Sequence, residues 1–217
     1  MQRPERPARA TDRVALVVGG GGGLGAAVVQ AFADRGWAVA IHAHAAFAAA
    51  RARAEALADA GLPALAVTAN LRDEGPVRVV VHRVADHFGR LDVVVNCAAF
   101  RRATPLAEFT ADDLRAALDV GLVGAVVLAQ EAGAVMARQS DGGAIVLVSD
   151  PPTDPLRPGR LAATLVADAI PAAVRALAAE FAGTGVRVEA HVPQPGATLA
   201  AEAAAVVGRA EAPPGGP

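Results

Sequence analysis

The chain has 217 residues, of which 53% are hydrophobic and 19% charged, and its formal net charge is -2. This length allows one sizeable α/β domain and argues against two independent cores. The near-neutral charge and the aromatic content of 3% argue against a nucleic-acid binder, which needs a basic surface or stacking rings. The sequence has no tyrosine, and all 20 basic residues are arginine, which excludes any mechanism that needs a tyrosine hydroxyl or a lysine amine.

Short apolar runs rich in valine, isoleucine and alanine alternate with longer alanine-rich segments of helical period. Continuous apolar strands are typical of a parallel sheet covered by helices on both faces. The alternation therefore predicts a doubly wound α/β fold, a Rossmann-like three-layer sandwich of six strands with no seventh. In chain order, the predicted strands are Arg13–Val18, Ala38–His42, Ala64–Thr68, Asp92–Asn96, Ala144–Ser149 and Val186–Val192. The predicted long helices are Leu24–Arg35, Ala45–Ala60, Gly75–Phe88, Thr110–Arg138 and Arg160–Ala182.

The two ends of the chain differ in composition from its centre. Residues 1–12 are charged and proline-rich and predict a flexible arm, whereas residues 13–196 form the predicted domain. Residues 197–217 predict a short helix, Leu199–Val207, and a disordered tail. One cysteine, Cys97, excludes an intrachain disulfide and fits a reducing cytoplasm. Because no uninterrupted apolar stretch reaches spanning length, we expect a cytoplasmic protein without a membrane or nucleic-acid partner.

A run of glycines follows the first predicted strand and leads into the first helix: Gly19-Gly20-Gly21-Gly22-Gly23-Leu24-Gly25. Glycines at this place let the backbone turn tightly and approach a pyrophosphate at the helix N-terminus. Two registers fit, because Gly20-x-Gly22-x-x-Gly25 has the general dinucleotide spacing and Gly19-x-x-x-Gly23-x-Gly25 is a variant of it. A glycine-rich turn without a ligand is the alternative interpretation.

These motifs resemble those of the short-chain dehydrogenase/reductase family over about residues 13–196. Gly19-x-x-x-Gly23-Leu24-Gly25 matches the family's cofactor loop, and Asn96-Cys97-Ala98-Ala99 is similar to its Asn-Asn-Ala-Gly motif. Asn70-Leu71 is similar to the Asp-Leu pair that frames adenine. The resemblance implies a nicotinamide cofactor contacted by Gly19, Gly23, Leu24, Gly25, His42, Asn70, Leu71, Asn96 and Ala98.

Within that family the chain looks most like the pteridine reductases. Ile41-His42-Ala43-His44 resembles their His-x-His after the second strand, and Asp150 stands where they carry an aspartate instead of the usual serine. Phe100 lies within one residue of a phenylalanine that stacks on nicotinamide and pterin in those enzymes. The resemblance implies that Phe100 contacts substrate and that Asp150 is a catalytic acid. A turn-capping aspartate is the other interpretation of Asp150.

The resemblance also implies that the family's catalytic residues are lost. Its chemistry uses a Tyr-x-x-x-Lys pair, and Ala163 and Ala167 stand at those two positions. Gly121 stands at the position of the helper asparagine. The resemblance implies NADP(H) as the cofactor, but no acidic ribose clamp follows the second strand and no arginine stands beside the expected 2′-phosphate, which weighs against binding. His42 and His44 alone make a poor metal site, and we expect no metal.

Three hypotheses for function follow. The first is a non-catalytic subunit that acts through a homo- or hetero-oligomer, with an active paralogue as one partner. The contact would use the long fourth and fifth helices, whose alanines permit close approach, although a GC-rich genome also explains the alanine. The second is a sensor that binds NAD(P). The third is an altered NADPH-dependent oxidoreductase that uses Asp150 on a pterin-like planar substrate.

Overall fold

A computed structural model describes residues 13–99, 102–149 and 158–212. Its strands are β1 (Val14–Val18), β2 (Ala38–His42), β3 (Ala64–Val67), β4 (Val93–Asn96), β5 (Gly143–Val148) and β6 (Val186–His191). Its α-helices are α1 (Gly23–Ala33), α2 (Phe47–Asp59), α3 (Glu74–Phe88), α4 (Ala111–Leu118), α5 (Gly124–Met136), α6 (Leu161–Glu180) and α7 (Leu199–Glu211). Each predicted strand end lies within one residue of the observed end.

The six strands form one parallel sheet in the order β3-β2-β1-β4-β5-β6. The strand order reverses between β1 and β4, where Val18 pairs with Asn96 at the carboxyl ends of the two strands. This arrangement confirms the predicted doubly wound α/β fold. The reversal also fixes the place where a ligand can enter between the two halves of the sheet.

Side-chain alternation along the strands builds one core on each face of the sheet. In β1, Val14, Leu16 and Val18 contribute to the core beneath α3, α5 and α6, whereas Ala15 and Val17 contribute to the core beneath α1, α2 and α7. Both sets of side chains are almost fully buried. The strands read as continuous apolar runs because helices cover both faces.

The predicted helix Thr110–Arg138 is divided by a π-helical turn, Asp119–Val123, into α4 and α5. Thr110 starts it with a capping box, because its hydroxyl accepts the Asp113 amide and the Asp113 carboxylate accepts the Thr110 amide. Arg78 and His82 of α3 both contact the Glu131 carboxylate of α5, which ties these two helices together.

The last helix, α7, belongs to the domain that the sequence analysis ended at residue 196. It extends to Glu211 rather than Val207, and Ala203, Val206 and Val207 are buried in the same core as Val28 of α1. The sequence predicts a helix here but ends it at Val207 and places it outside the domain. The structure instead uses the apolar stripe of this helix to cover the α1 face of the sheet.

Two helical stretches are long and apolar enough to cross a membrane by length and composition, Ala111–Met136 and Leu161–Glu180, each with a mean hydropathy of 1.6. Both stretches contain charged residues, so neither is an uninterrupted apolar run of the kind that the sequence analysis considered. Core helices of soluble proteins can have the same length and apolar composition, so these two stretches are weak evidence for a membrane. The two stretches differ in burial. Of the most apolar 18 residues in each, 44% are buried in Ala111–Met136 but only 22% in Leu161–Glu180. Within the part of the chain that the structure describes, α6 therefore presents exposed apolar side chains, those of Leu161 and Leu165.

Candidate functional site

A cleft of about 670 Å³ opens at the carboxyl edge of the sheet, beside the reversal between β1 and β4. Ligands of doubly wound sheets bind at this place. The glycine turn forms one wall, and the connection from β6 into α7 forms the opposite wall. The lining residues are Gly19, Gly21, Gly22, Gly23, Leu24, Gly25, Ala43, His44, Ala46, Cys97, Ala98, Ala99, Val148, Ser149, Pro193, Gln194, Ala197, Leu199 and Glu202.

Four residues of the glycine turn, Gly19, Gly20, Gly21 and Gly25, leave no room for a side chain. A Cβ atom on Gly25 would lie 2.2 Å from the Gly19 carbonyl oxygen, and one on Gly19 would lie 2.9 Å from the Ala98 amide nitrogen. Gly19 also has a φ of +80°, which side-chain-bearing residues rarely adopt. Cβ atoms on Gly22 and Gly23 would meet nothing within 4 Å. The backbone of these two residues is thus open to an occupant of the cleft at the start of α1.

The structure brings five of the nine predicted cofactor contacts into the cleft. These are Gly19, Gly23, Leu24, Gly25 and Ala98. Asn96 is buried behind this wall, where its side-chain oxygen accepts the Ala98 amide at 3.1 Å. Asn96 therefore shapes the loop after β4 and is not a lining residue.

Asn70 and Leu71 are not among the lining residues either. The Asn70 side-chain oxygen accepts the Arg72 amide at 3.2 Å and so organises the turn after β3. Leu71 is buried in the core, and its carbonyl oxygen would lie 2.6 Å from a Cβ atom on Gly124. Both residues therefore have structural roles at the edge of the sheet.

The structure places His44 in the cleft and turns His42 away from it. His42 is buried, and its Nε2 lies 3.1 Å from the Ala69 carbonyl oxygen and 3.2 Å from the Ala69 amide nitrogen. Burial lowers the pKa of His42, and the bond to Ala69 opposes this effect. β2 ends at His42, so strand alternation does not fix the direction of the His44 side chain.

The positions assigned to lost catalytic residues surround a second cavity of only about 20 Å³. Gly121, Ala163 and Ala167 line it together with Val166. A Cβ atom on Gly121 would lie 2.5 Å from Cγ1 of Val166, so valine occupies the space beside the glycine. The full lining is Ala98, Ala99, Gly121, Val148, Ser149, Ala163, Val166, Ala167 and Ile170, a set with no titratable side chain within the described ranges.

Ser149 lies between the two cavities and lines both. Its hydroxyl donates to the Ala167 carbonyl oxygen at 3.1 Å, and its amide donates to the His191 carbonyl oxygen at 2.9 Å. Ser149 thereby joins β5 to α6 and to β6. The neighbouring candidates Asp150 and Phe100 lie outside the described residues.

A buried polar cluster that the sequence analysis missed closes the far wall of the cleft. The Glu202 carboxylate accepts the Gln194 amide at 2.7 Å through one oxygen, and its other oxygen lies 2.6 Å from Nε2 of His191. Only 5% of Glu202 is exposed. The pKa of Glu202 is lowered, chiefly because the Gln194 amide binds the charged form, and His191 adds to this effect against the cost of burial.

Glu202→Gln should lower the stability of the protein near pH 7, and this effect should disappear in acid. A carboxyl group whose pKa is lowered by folding contributes stability above its ordinary pKa of 4.5 and loses it as the pH falls through the lowered value. Urea unfolding of both proteins near pH 7 and at about pH 3 measures the difference. A gap between them that is as large in acid as at neutral pH would contradict this assignment.

The chain matches known proteins along most of its length. A family model described as enoyl-(acyl carrier protein) reductase matches residues 19–212. Hydroxynaphthalene reductase arp2 from Aspergillus fumigatus is 32% identical, over 84% of this chain and 66% of its own length. D-threitol dehydrogenase from Mycolicibacterium smegmatis is 30% identical, over 85% of this chain and 70% of its own. The chain thus spans about two thirds of the length of these curated relatives.

A solved structure agrees with the fold over nearly the whole of both chains. It is a short chain dehydrogenase from Burkholderia cenocepacia in complex with NADP, with a TM-score of 0.81 and 29% sequence identity. The similarity covers 90% of this chain and 89% of that one. The likeness therefore includes both the sheet and the helices on its two faces.

Proposed function

Because the chain belongs to the short-chain dehydrogenase/reductase family but contains neither tyrosine nor lysine, we propose that it is a non-catalytic member that acts through assembly. The observation that carries the proposal is the packed apolar space around Gly121, Ala163 and Ala167. In the family, an acid, the residue that lowers its pKa and a helper asparagine share this region. Here Val166 fills part of it, and the polar side chain among the described lining residues is that of Ser149, whose hydroxyl donates to the Ala167 carbonyl oxygen.

The exposed face of α6 supports assembly as the function that outlives catalysis. Leu161 and Leu165 are each 44% exposed and lie one turn apart. Small residues dominate the rest of the helix, which permits a close helix–helix contact. Ala163 faces inward, so its replacement leaves this outer surface unchanged. We infer that the partner is a second copy of this chain or a catalytically competent paralogue. We also propose that the assembly is cytoplasmic.

Leu165→Arg should convert the assembled protein to a monomer while the fold survives, because the side chain is exposed in the single chain. Val79→Arg is the matched control, since Val79 is 64% exposed on α3, away from the proposed interface. Sedimentation velocity of the two variants and the wild type measures the change in mass. A wild-type protein that is monomeric at all concentrations, with no co-purifying partner, would overturn the proposal.

The cleft supports a second candidate function, a sensor that binds a nicotinamide dinucleotide. The open backbone of Gly22 and Gly23 at the start of α1 fits a pyrophosphate, and Ala98 lines the same cleft beside Gly19. A bound dinucleotide would supply hydride chemistry, but this chain's residues would only bind and orient it. The described lining residues after β2 include neither an arginine for a 2′-phosphate nor a carboxylate for the ribose hydroxyls, so NAD and NADP are both candidates. Calorimetric titration with each dinucleotide tests this candidate.

A third candidate is an altered reductase that acts on a pterin-like substrate through Asp150 and Phe100. It rests on the resemblance of His42-Ala43-His44 and Asp150 to pteridine reductases. The position of His44 in the cleft is consistent with it, whereas the inward orientation of His42 is not. Reductase assays with pterins and NADPH test it, and unchanged turnover in Asp150→Ala would end it.

A further inference from the structure

We propose that Glu202 makes the cleft select the oxidised, positively charged nicotinamide ring over the reduced, neutral one. The inference rests on the proposed binding of a nicotinamide dinucleotide in this cleft. The inference depends on the charge of Glu202 and on the position of this residue in the fold. It would make the proposed sensor specific for the oxidised form of the dinucleotide. Glu202 is then a specificity-determining residue rather than a catalytic one.

The carboxylate is fixed in place by groups on both sides. The amide of Gln194 donates to one oxygen at 2.7 Å, and Nε2 of His191 lies 2.6 Å from the other. His191 ends β6, Gln194 lies in the connection that follows, and Glu202 lies in the first turn of α7. The charge therefore cannot swing away from the cleft without breaking two short contacts.

The surroundings of His191 indicate that its imidazole carries no positive charge that would neutralise the Glu202 carboxylate. Nδ1 of His191 is buried and has no hydrogen-bond partner among the described residues. A doubly protonated imidazole would place an unsatisfied N–H at that buried atom, which is costly. We therefore assign a neutral imidazole that donates from Nε2 to Glu202, so that the pair carries one negative charge.

The strand order places this charge in the nicotinamide half of the cleft. In doubly wound folds the adenosine ribose lies near the end of the second strand, and the other mononucleotide lies across the reversal. His44 follows β2 on the adenosine side. Ser149, Gln194 and Glu202 line the opposite half, which β5, β6 and α7 form. No arginine lines either half in the part of the chain that the structure describes.

The two redox forms of the dinucleotide differ by one positive charge, and that charge is on the nicotinamide ring. The pyrophosphate and the two riboses are common to both forms, so their contacts cancel in a ratio of affinities. A fixed carboxylate at the wall of a partly enclosed cleft therefore changes the ratio of the affinities for the oxidised and the reduced dinucleotide. For charges several ångströms apart near a protein surface, we expect a preference of about tenfold for the oxidised form.

Calorimetric titration with NAD⁺ and with NADH tests the proposal in four proteins. These are the wild type, Glu202→Gln, which removes the charge, Glu202→Asp, which keeps it, and Glu189→Gln. The last is the matched control, because Glu189 is paired with Arg187 and Arg209 and does not line the cleft. Thermal melting of each variant establishes that it is folded.

We expect the wild type, Glu202→Asp and Glu189→Gln to bind NAD⁺ about tenfold more tightly than NADH, and Glu202→Gln to bind both about equally. Equal affinities for the two forms in the wild type would overturn the role of Glu202 even if Glu202→Gln failed to fold. The same conclusion follows if Glu202→Gln keeps the wild-type ratio. Absence of binding of either form to the wild type at millimolar concentration would overturn the sensor itself, and with it this inference.

Discussion

Gly25→Ala should destabilise the protein by about 3 kcal/mol or more. It should also abolish the proposed binding of a nicotinamide dinucleotide in the cleft. The new Cβ atom would lie 2.2 Å from the Gly19 carbonyl oxygen, well inside contact distance, and the obstacle is backbone rather than a flexible side chain. Gly19 cannot move away from Gly25, because it already lies against the backbone of Ala98 in the loop that follows β4. Relief would therefore require the turn, the start of α1 and that loop to move together.

Gly22→Ala is the matched control for this prediction. Its φ of -168° is extended backbone that any residue adopts, and its Cβ atom would meet nothing within 4 Å. We expect a change in stability within about 0.5 kcal/mol, measured by urea unfolding of both variants. A Gly25→Ala protein as stable as Gly22→Ala would contradict the described geometry of the turn. Because Gly22 lines the cleft, its variant also reports whether a ligand approaches that backbone closely.

The glycine turn could be predicted from sequence because its constraints are local. A strand, a run of glycines and a helix follow one another without a break, and each element needs only its own residues to be recognised. The start of the α4 helix at Thr110 is equally local, since its capping box uses residues three apart. The register of the glycines was left open, and Gly25 belongs to both alternatives. The positive φ of Gly19 and Gly23, against an extended and unobstructed Gly22, supports the variant Gly19-x-x-x-Gly23-x-Gly25.

The far wall of the cleft could not be predicted in the same way. Glu202 lies eleven positions after its partner His191, and nothing local in the sequence pairs them. Their contact exists because α7 folds back on α1 beside the end of β6. The expected contact of His42 with the cofactor came from the family resemblance, which does not reveal that its side chain is buried beside Ala69 and does not line the cleft.

The space beside Gly121 is likewise a tertiary feature with a functional consequence. The resemblance to the family located Gly121 on one helix and Ala163 and Ala167 on another, but it gave no information about Val166. In the structure, the Val166 side chain reaches across from α6 and takes the volume that a side chain at position 121 would need. The proposed non-catalytic role thus has the support of this packing in addition to the residue types at positions 121, 163 and 167.

Gly121→Asn should accordingly destabilise the protein by roughly 2–3 kcal/mol, because its Cβ atom would lie 2.5 Å from Cγ1 of Val166 in a buried π-helical turn. The same substitution in a Val166→Ala background should cost at least about 1.5 kcal/mol less, since the obstructing methyl groups are gone. Urea unfolding of the wild type, both single variants and the double variant completes this cycle. Additive effects would show that Val166 does not obstruct the position, and the packed site would then no longer support a non-catalytic role. A strong coupling instead means that valine and asparagine exclude each other here, so a return to the family's chemistry requires changes on both helices at once.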